Sequence, residues 1–313
     1  MLDQFYSTLI TVTVLLLVAA PGYLMIKTKM LSEDCIGGFS KILLYVSQPA
    51  LAVYTFSTIS YSPEKLLEIG IFALLTLGIM GVILFFAYLI LRKRYERAIY
   101  RIMTIAIIFA NCGFFGIPII KAVMGEAASE LLVYTTIFSL VMNVVGWTVG
   151  SAIISRNAKY ISIKKILLNP ATIGVGVALL IFILSVPIES NVLNMISVTG
   201  NMATPLSMLI MGMRLGTMEI KSLFTNLRVY ITVLIKLVGI PIVALLALYF
   251  LPVSGMVKMT FYILCACPCA SVVLNFAEIV GEGQREAASM VLLSTMLSVV
   301  FMPVMMLLLP VLA

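Results

Sequence analysis

Two stretches of the chain, Asn111-Cys112-Gly113-Phe114-Phe115-Gly116-Ile117-Pro118 and Cys265-Ala266-Cys267-Pro268-Cys269-Ala270-Ser271, set helix-breaking and small polar residues inside segments otherwise apolar enough to span a bilayer. In hydrocarbon a broken helix leaves amide and carbonyl groups unpaired at several kcal/mol each, so a break persists only where protein, water or a ligand satisfies them. Pro118 lacks an amide proton and clashes with the carbonyl four residues back, which frees backbone groups around Phe114 to Ile117; Pro268 stands in the matching place of the other half. Gly113 and Gly116 let crossing backbones approach. Asn111 and Asn275 carry amides that both donate and accept toward a carboxylate or an ion, and Ser271 is a small polar residue at the second break. Paired breaks of this kind mark the binding site of a secondary transporter built from repeats.

Ionisable residues within the apolar segments are few, and their sign is informative. All eleven glutamates and both aspartates fall in connections or near segment ends, with Glu278 nearest to an interior, so the buried aspartate pair of a proton antiporter is absent. What remains is positive. Lys236 lies about 12 Å into its segment at 1.5 Å per residue, and Lys41 lies eight residues before Pro49. Either lysine can instead snorkel to the headgroups. A positive, carboxylate-poor interior favours an anionic substrate over a cationic one.

Cys267-Pro268-Cys269 raises a rival chemistry, because such a triplet in a membrane helix can hold a soft metal such as copper. With no phosphate-binding loop, no aspartyl-phosphorylation sequence and no histidine, a metal pump is excluded and only a passive soft-metal carrier survives as an alternative. No metal site is assigned, since cysteine is also a small apolar residue suited to a close crossing. Five cysteines, an odd number, argue against a disulfide framework. No Ser–His, Asp–Asp or metal-ligand constellation appears in the apolar segments, so no enzyme is expected.

The elements that must position these residues follow from composition. With 62% hydrophobic residues, 11% charged, no histidine and a mean hydropathy of +1.18, the chain can bury its apolar surface only in lipid, which makes it an integral membrane protein. Ten segments are each long enough for a hydrocarbon core of ~30 Å: 5–26, 40–59, 67–91, 102–123, 130–154, 171–188, 192–213, 228–251, 257–280 and 287–311. The first is expected to remain as a span, since Met1 to Gln4 carries no positive charge and the apolar run is too long for a signal peptide.

The net charge of +7 does not point to nucleic acid, because of where it sits. Sixteen basic residues, among them Arg92, Lys93, Arg94, Lys165 and Lys221, fall on connections following odd-numbered segments, against Lys65, Lys121 and Lys258 on the opposite side. The positive-inside rule then makes the first set cytoplasmic, in contact with anionic lipid, and puts both termini outside a multi-pass protein of the cell membrane.

An internal repeat is also readable. An offset of 156 pairs Pro49 with Pro205, Met103-Thr104 with Met259-Thr260 and Gly125-Glu126 with Gly281-Glu282. Each half holds five segments, an odd number, so the second must enter the membrane in the opposite sense and the repeats are inverted.

Gln48-Pro49, Thr204-Pro205 with the following Met211-Gly212-Met213-Arg214-Leu215-Gly216, Asn169-Pro170, and the proline-bearing breaks in segments 4 and 9 resemble the auxin efflux carrier family, over essentially the whole chain. Through its prokaryotic members the resemblance implies a permease of malate, malonate or a related acid. The long hydrophilic loop of the plant carriers is missing, 156–170 being a short basic linker, so plant-style phosphoregulation through it is not available. The resemblance implies an all-α integral membrane fold of ten transmembrane helices, as two inverted five-helix repeats with crossed broken helices 4 and 9. The repeats would be 1–155 and 171–313, with a scaffold from spans 1, 2, 6 and 7 and a transport unit from spans 3–5 and 8–10. Lys41 sits where plant auxin carriers also carry a lysine, and Gln48 precedes the shared proline. Substrate-binding candidates are therefore Asn111, Gly113, Gly116, Pro118, Pro268, Ser271, Asn275, Lys236, Lys41 and Gln48. The expected function is secondary active transport of a small organic anion, of mono- or dicarboxylate type, by alternating access. No cofactor is called for beyond a coupling ion, proton or sodium, and the scaffold spans offer a face for a homodimer. A membrane-embedded ligand sensor of the same fold is the alternative.

Overall fold

The computed structural model describes residues 2–157, 159, 161, 163–219 and 224–312, without the side chain of Lys165. Two charges of the basic set, on Lys165 and Lys221, thus lie outside the described residues. In chain order the helices are α1 (Leu2–Lys27), α2 (Cys35–Ser57), α3 (Pro63–Leu91), α4 (Ala98–Ile108), α5 (112–124), α6 (128–155), α7 (Ile163–Leu167), α8 (Pro170–Ile183), α9 (Ser190–Asn201), α10 (Ala203–Thr217), α11 (Leu227–Tyr249), α12 (Gly255–Ala266), α13 (Val272–Val280) and α14 (Gln284–Met306). Six helical runs, Leu2–Lys27, Cys35–Ser57, Pro63–Arg94, Cys112–Ser155, Leu227–Tyr249 and Gln284–Met306, are long and apolar enough to cross a membrane, as in a multi-pass integral membrane protein. Helices α4, α8 and α12 are apolar but shorter.

Local chemistry sets the helix ends. Ser62 Oγ accepts from Lys65 N at 3.1 Å, Asn169 Oδ1 from Ala171 N at 2.9 Å and Asn226 Oδ1 from Arg228 N at 3.1 Å, so α3, α8 and α11 start on capping side chains. Two segments are shorter than their apolar runs suggest. The run 171–188 leaves the helix after Ile183, where Ser185 turns left-handed at φ 49° and Pro187 disfavours helix in the residue before it. The run 192–213 divides at Met202, because Pro205 has no amide to give to the Asn201 carbonyl.

Proline leaves a second mark. The turns 43–47, 112–116 and 235–239 are widened to π geometry, and each is followed by a helix with proline at its second residue: Pro49, Pro118 and Pro241. In every case the centre of the widened turn, Tyr45, Phe114 or Leu237, is the residue whose carbonyl the proline ring would strike. Gly146–Gly150 forms a fourth π turn with no proline behind it.

Helix packing is closest where small residues meet backbone. A Cβ on Gly212 would overlap the Ala19 carbonyl and one on Gly22 the Leu209 carbonyl, so α1 and α10 approach backbone to backbone. Gly174 of α8 lies against Pro49 of α2 in the same manner. The core is centred on α4, α12 and α14: every residue from Ile99 to Ile108 is buried, as is every residue from Phe261 to Ala266. By contrast α1 and α3 turn broad apolar faces outward, with Leu17 and Leu74 largely exposed, which suits contact with lipid.

Candidate functional site at the paired helix breaks

The two central helices stop beside each other. Phe109 takes an extended conformation at φ −79°, ψ 113°, and Cys267, restricted by the proline after it, does the same at φ −62°, ψ 148°. The freed backbone groups then satisfy one another across the pair: Asn111 N donates to the Pro268 carbonyl at 2.8 Å, and Ala270 N donates to the Phe109 carbonyl at 2.9 Å. Ala110 and Cys269 form an antiparallel bridge between these bonds. The chain thus leaves the helix at 109–111, earlier than the release around Phe114 to Ile117 expected from Pro118, which instead takes the form of the π turn 112–116.

Side chains complete the lock. Cys269 Sγ donates to the Ala106 carbonyl at 3.3 Å, Cys269 N donates to Ser294 Oγ at 3.0 Å, and Cys267 Sγ donates to the Ile263 carbonyl at 3.4 Å. Both cysteines of the Cys-Pro-Cys triplet are therefore engaged with backbone carbonyls. No group of three or more His, Cys, Asp or Glu suited to a metal occurs among the described residues. A Cβ on Gly116 would come within 2.8 Å of Leu264 Cδ2 and 3.3 Å of Cys267 Sγ, so the glycine permits the close approach of α5 to α12.

Four helix ends converge at this point, the C-termini of α4 and α12 and the N-termini of α5 and α13, and they supply partial charge of both signs. A full charge joins them. Lys236, in the π turn of α11, is 1% exposed and its Nζ donates to the Cys265 carbonyl at 3.3 Å, at the C-terminal end of α12. It does not snorkel. The Cys265 carbonyl lies two residues before Cys267, where α12 gives way to the second break, so the ammonium sits beside it. Asn111 is 4% exposed, and its Nδ2 is buried without a hydrogen-bond partner among the described residues.

Two small cavities flank the breaks, and Phe114 lines both. One, of about 60 Å³, holds Ser271, Asn275, Ser40, Ser207 and Arg214; the other, of about 50 Å³, holds Gly113, Gln48, Thr135, Ser139 and Asn143. Asn111, Gly113, Gly116 and Pro268 are thus brought together, with Ser271 and Asn275 on one side and Gln48 on the other. Gln48 Oε1 is buried with no partner among the described residues. Pro118 is half-buried and lines neither cavity. Lys41 is exposed and lines neither, although its neighbour Ser40 does: helix α2 turns it outward.

Some polar residues here were not singled out from sequence. Thr135, Ser139 and Asn143 repeat every four residues along α6, a polar stripe in an apolar helix that periodicity would have found. Ser139 Oγ lies 3.1 Å from Cys112 Sγ. Arg214 donates to Glu278 at 2.8 Å, tying α10 to α13 at the edge of the first cavity.

Membrane-length helices gathered around a pair of interlocked breaks define a multi-pass membrane protein of the transporter class. The chain belongs to the auxin efflux carrier family: the family model described as membrane transport protein matches residues 7–306. That family consists of transporters and not of enzymes. No curated protein matches the chain.

Proposed function

We propose that this transporter is a secondary active carrier of a small organic anion, of mono- or dicarboxylate type, which alternates access around the paired breaks. The observation that carries the reading is Lys236: a buried ammonium held by a single carbonyl, with no carboxylate partner among the described residues. A membrane protein retains such a charge at a cost, and an anion beside it offsets that cost. The unpartnered amide of Asn111 and the N-termini of α5 and α13 supply further donors for a carboxylate.

The same reading takes the helices as ten spans in two inverted repeats, 1–155 and 171–313. Support comes from the offset of 156 and from antiparallel breaks that engage each other reciprocally. The glycine-mediated contacts of α1 with α10 and of α2 with α8 support a scaffold of spans 1, 2, 6 and 7, against which the remaining spans move. Exposed Val192, Met195 and Val198 on α9 give that scaffold a face for a homodimer in the cell membrane. The clustering of basic residues supports an orientation with both termini outside. In intact cells, cysteines at the termini are expected to react with an impermeant thiol reagent and a cysteine replacing Arg94 is not; the opposite pattern reverses the orientation.

Purified protein in proteoliposomes is expected to accumulate a labelled dicarboxylate or monocarboxylate under an imposed proton or sodium gradient, which also identifies the proposed coupling ion. Binding of such acids, seen as a raised melting temperature, without uptake under either gradient identifies a sensor instead. If the acids are neither bound nor taken up, the organic anion is removed from the proposal.

A further inference from the structure

A wide recess lies away from the breaks. A groove of about 1190 Å³ runs between α3 and α11, with α4 and α14 contributing to its lining. Its walls are apolar: Val82, Phe86 and Ile90 from α3 face Ile231, Ile235 and Val243 from α11, and all six are substantially exposed. From Arg228 to Val243 the helix rises about 22 Å at 1.5 Å per residue, more than one leaflet of a ~30 Å hydrocarbon core. An apolar recess at that depth is filled by hydrocarbon, not by water.

One end of the groove is basic. Arg94, Arg228 and Arg285 line it there with Tyr100: Arg94 follows the C-terminus of α3, and the other three stand in the first turns of α11, α14 and α4. The Arg228 Nε donates to Tyr100 Oη at 3.0 Å and an Arg94 Nη lies 3.5 Å from it, with both guanidiniums 5.5 Å from the centroid of that one ring. Two like charges share a single phenol, and none of the three arginines has a carboxylate within ion-pair distance among the described residues. Lys93 and Arg97 border the adjoining recess of about 490 Å³. Of the acidic groups at this end, Glu286 is in the lining, Glu96 is bound to Arg156 at 3.1 Å and Glu282 is paired with Arg101. Arginines gathered in this way are suited to a phosphate, which their planar forks grip at two points.

We propose that this groove is a binding site for one anionic phospholipid, with its phosphate between Arg94, Arg228 and Arg285 and an acyl chain along the α3–α11 wall. A soluble phosphate could use only the rim and a zwitterionic lipid only the wall. The choline ammonium of a zwitterionic lipid would meet an excess of positive charge.

The test uses the full-length protein in detergent with phosphatidylglycerol or phosphatidylcholine added to the micelles, and counts retained lipid by native mass spectrometry. Phosphatidylglycerol is expected to be retained at least tenfold over phosphatidylcholine and to raise the melting temperature, while inorganic phosphate and glycerol phosphate do neither. Replacing Arg94, Arg228 and Arg285 together by Gln should bring retention down to the phosphatidylcholine level. Ile231→Trp, which narrows the wall and leaves the arginines in place, should also lower it and serves if the triple variant does not fold. Equal retention of the two lipids, undiminished retention in both variants, or protection by inorganic phosphate alone would each overturn the proposal.

Discussion

Lys236→Gln is expected to leave the melting temperature unchanged or raised and to abolish most organic-anion uptake. The stability half follows from cost. An ammonium in the middle of a membrane helix is unfavourable by about 2.5–3.5 kcal/mol on insertion scales, and here it recovers one hydrogen bond, to the Cys265 carbonyl, plus the attraction of a helix C-terminus. Glutamine keeps a donor for that carbonyl and removes the charge. The transport half follows from what the charge does once an anion arrives. Deleting one member of a buried, hydrogen-bonded charge pair costs about 2–5 kcal/mol, a factor of roughly 30 to several thousand in affinity. Lys236→Arg keeps the charge but forces a planar, bulkier group into a fully buried position, so partial activity is expected. Uptake by the Gln variant at the parental rate would make Lys236 a structural cap on α12, and the case for an anion would then rest on Asn111 and the helix ends.

How much of this site could be read from the sequence depends on the kind of interaction involved. Residues at the breaks are conspicuous, because proline and asparagine in an apolar segment conflict with helix in lipid and only a functional or packing role resolves the conflict. Where the chain leaves the helix was not readable in the same way. Pro118 widens the turn around Phe114, but the helix ends at Phe109 because Phe109 and Asn111 gain backbone partners in Ala270 and Pro268, residues about 160 positions away. The lysines divide for a similar reason. Lys41 stands at the head of its apolar segment and Lys236 about 12 Å into its own, and from sequence either could snorkel, yet one is exposed and the other is turned inward to the end of α12. That choice is made by a neighbour with an unpaired carbonyl, and no local pattern encodes the neighbour. The short α8 was readable in principle from Pro187, whereas the pairing of Arg214 with Glu278 depends on which helices adjoin.

Asn111→Ala is expected to cut organic-anion affinity by roughly 10- to 150-fold with no loss of stability. Its backbone is fully used: the amide donates to Pro268, and the carbonyl accepts from Phe115 at 3.1 Å and Gly116 at 3.2 Å. None of those bonds needs the side chain, so truncation leaves the interlock of the two breaks in place. The side-chain Nδ2 is buried without a partner among the described residues, and removing an unsatisfied buried donor is neutral or stabilising, whereas a hydrogen bond from it to a charged group is worth about 1.5–3 kcal/mol. Those energies set the stated range of affinity. Asn111→Asp keeps the shape but places a carboxylate beside the arriving anion, and should lose more than the alanine variant does. If Asn111 and Lys236 grip the same anion, the combined Asn111→Ala and Lys236→Gln variant loses less than the sum of the two single changes. The measurements are anion binding by calorimetry and melting temperature without ligand. Parental affinity in the alanine variant, or a drop in melting temperature comparable to that of a core truncation, would mean that the amide serves packing and not the substrate.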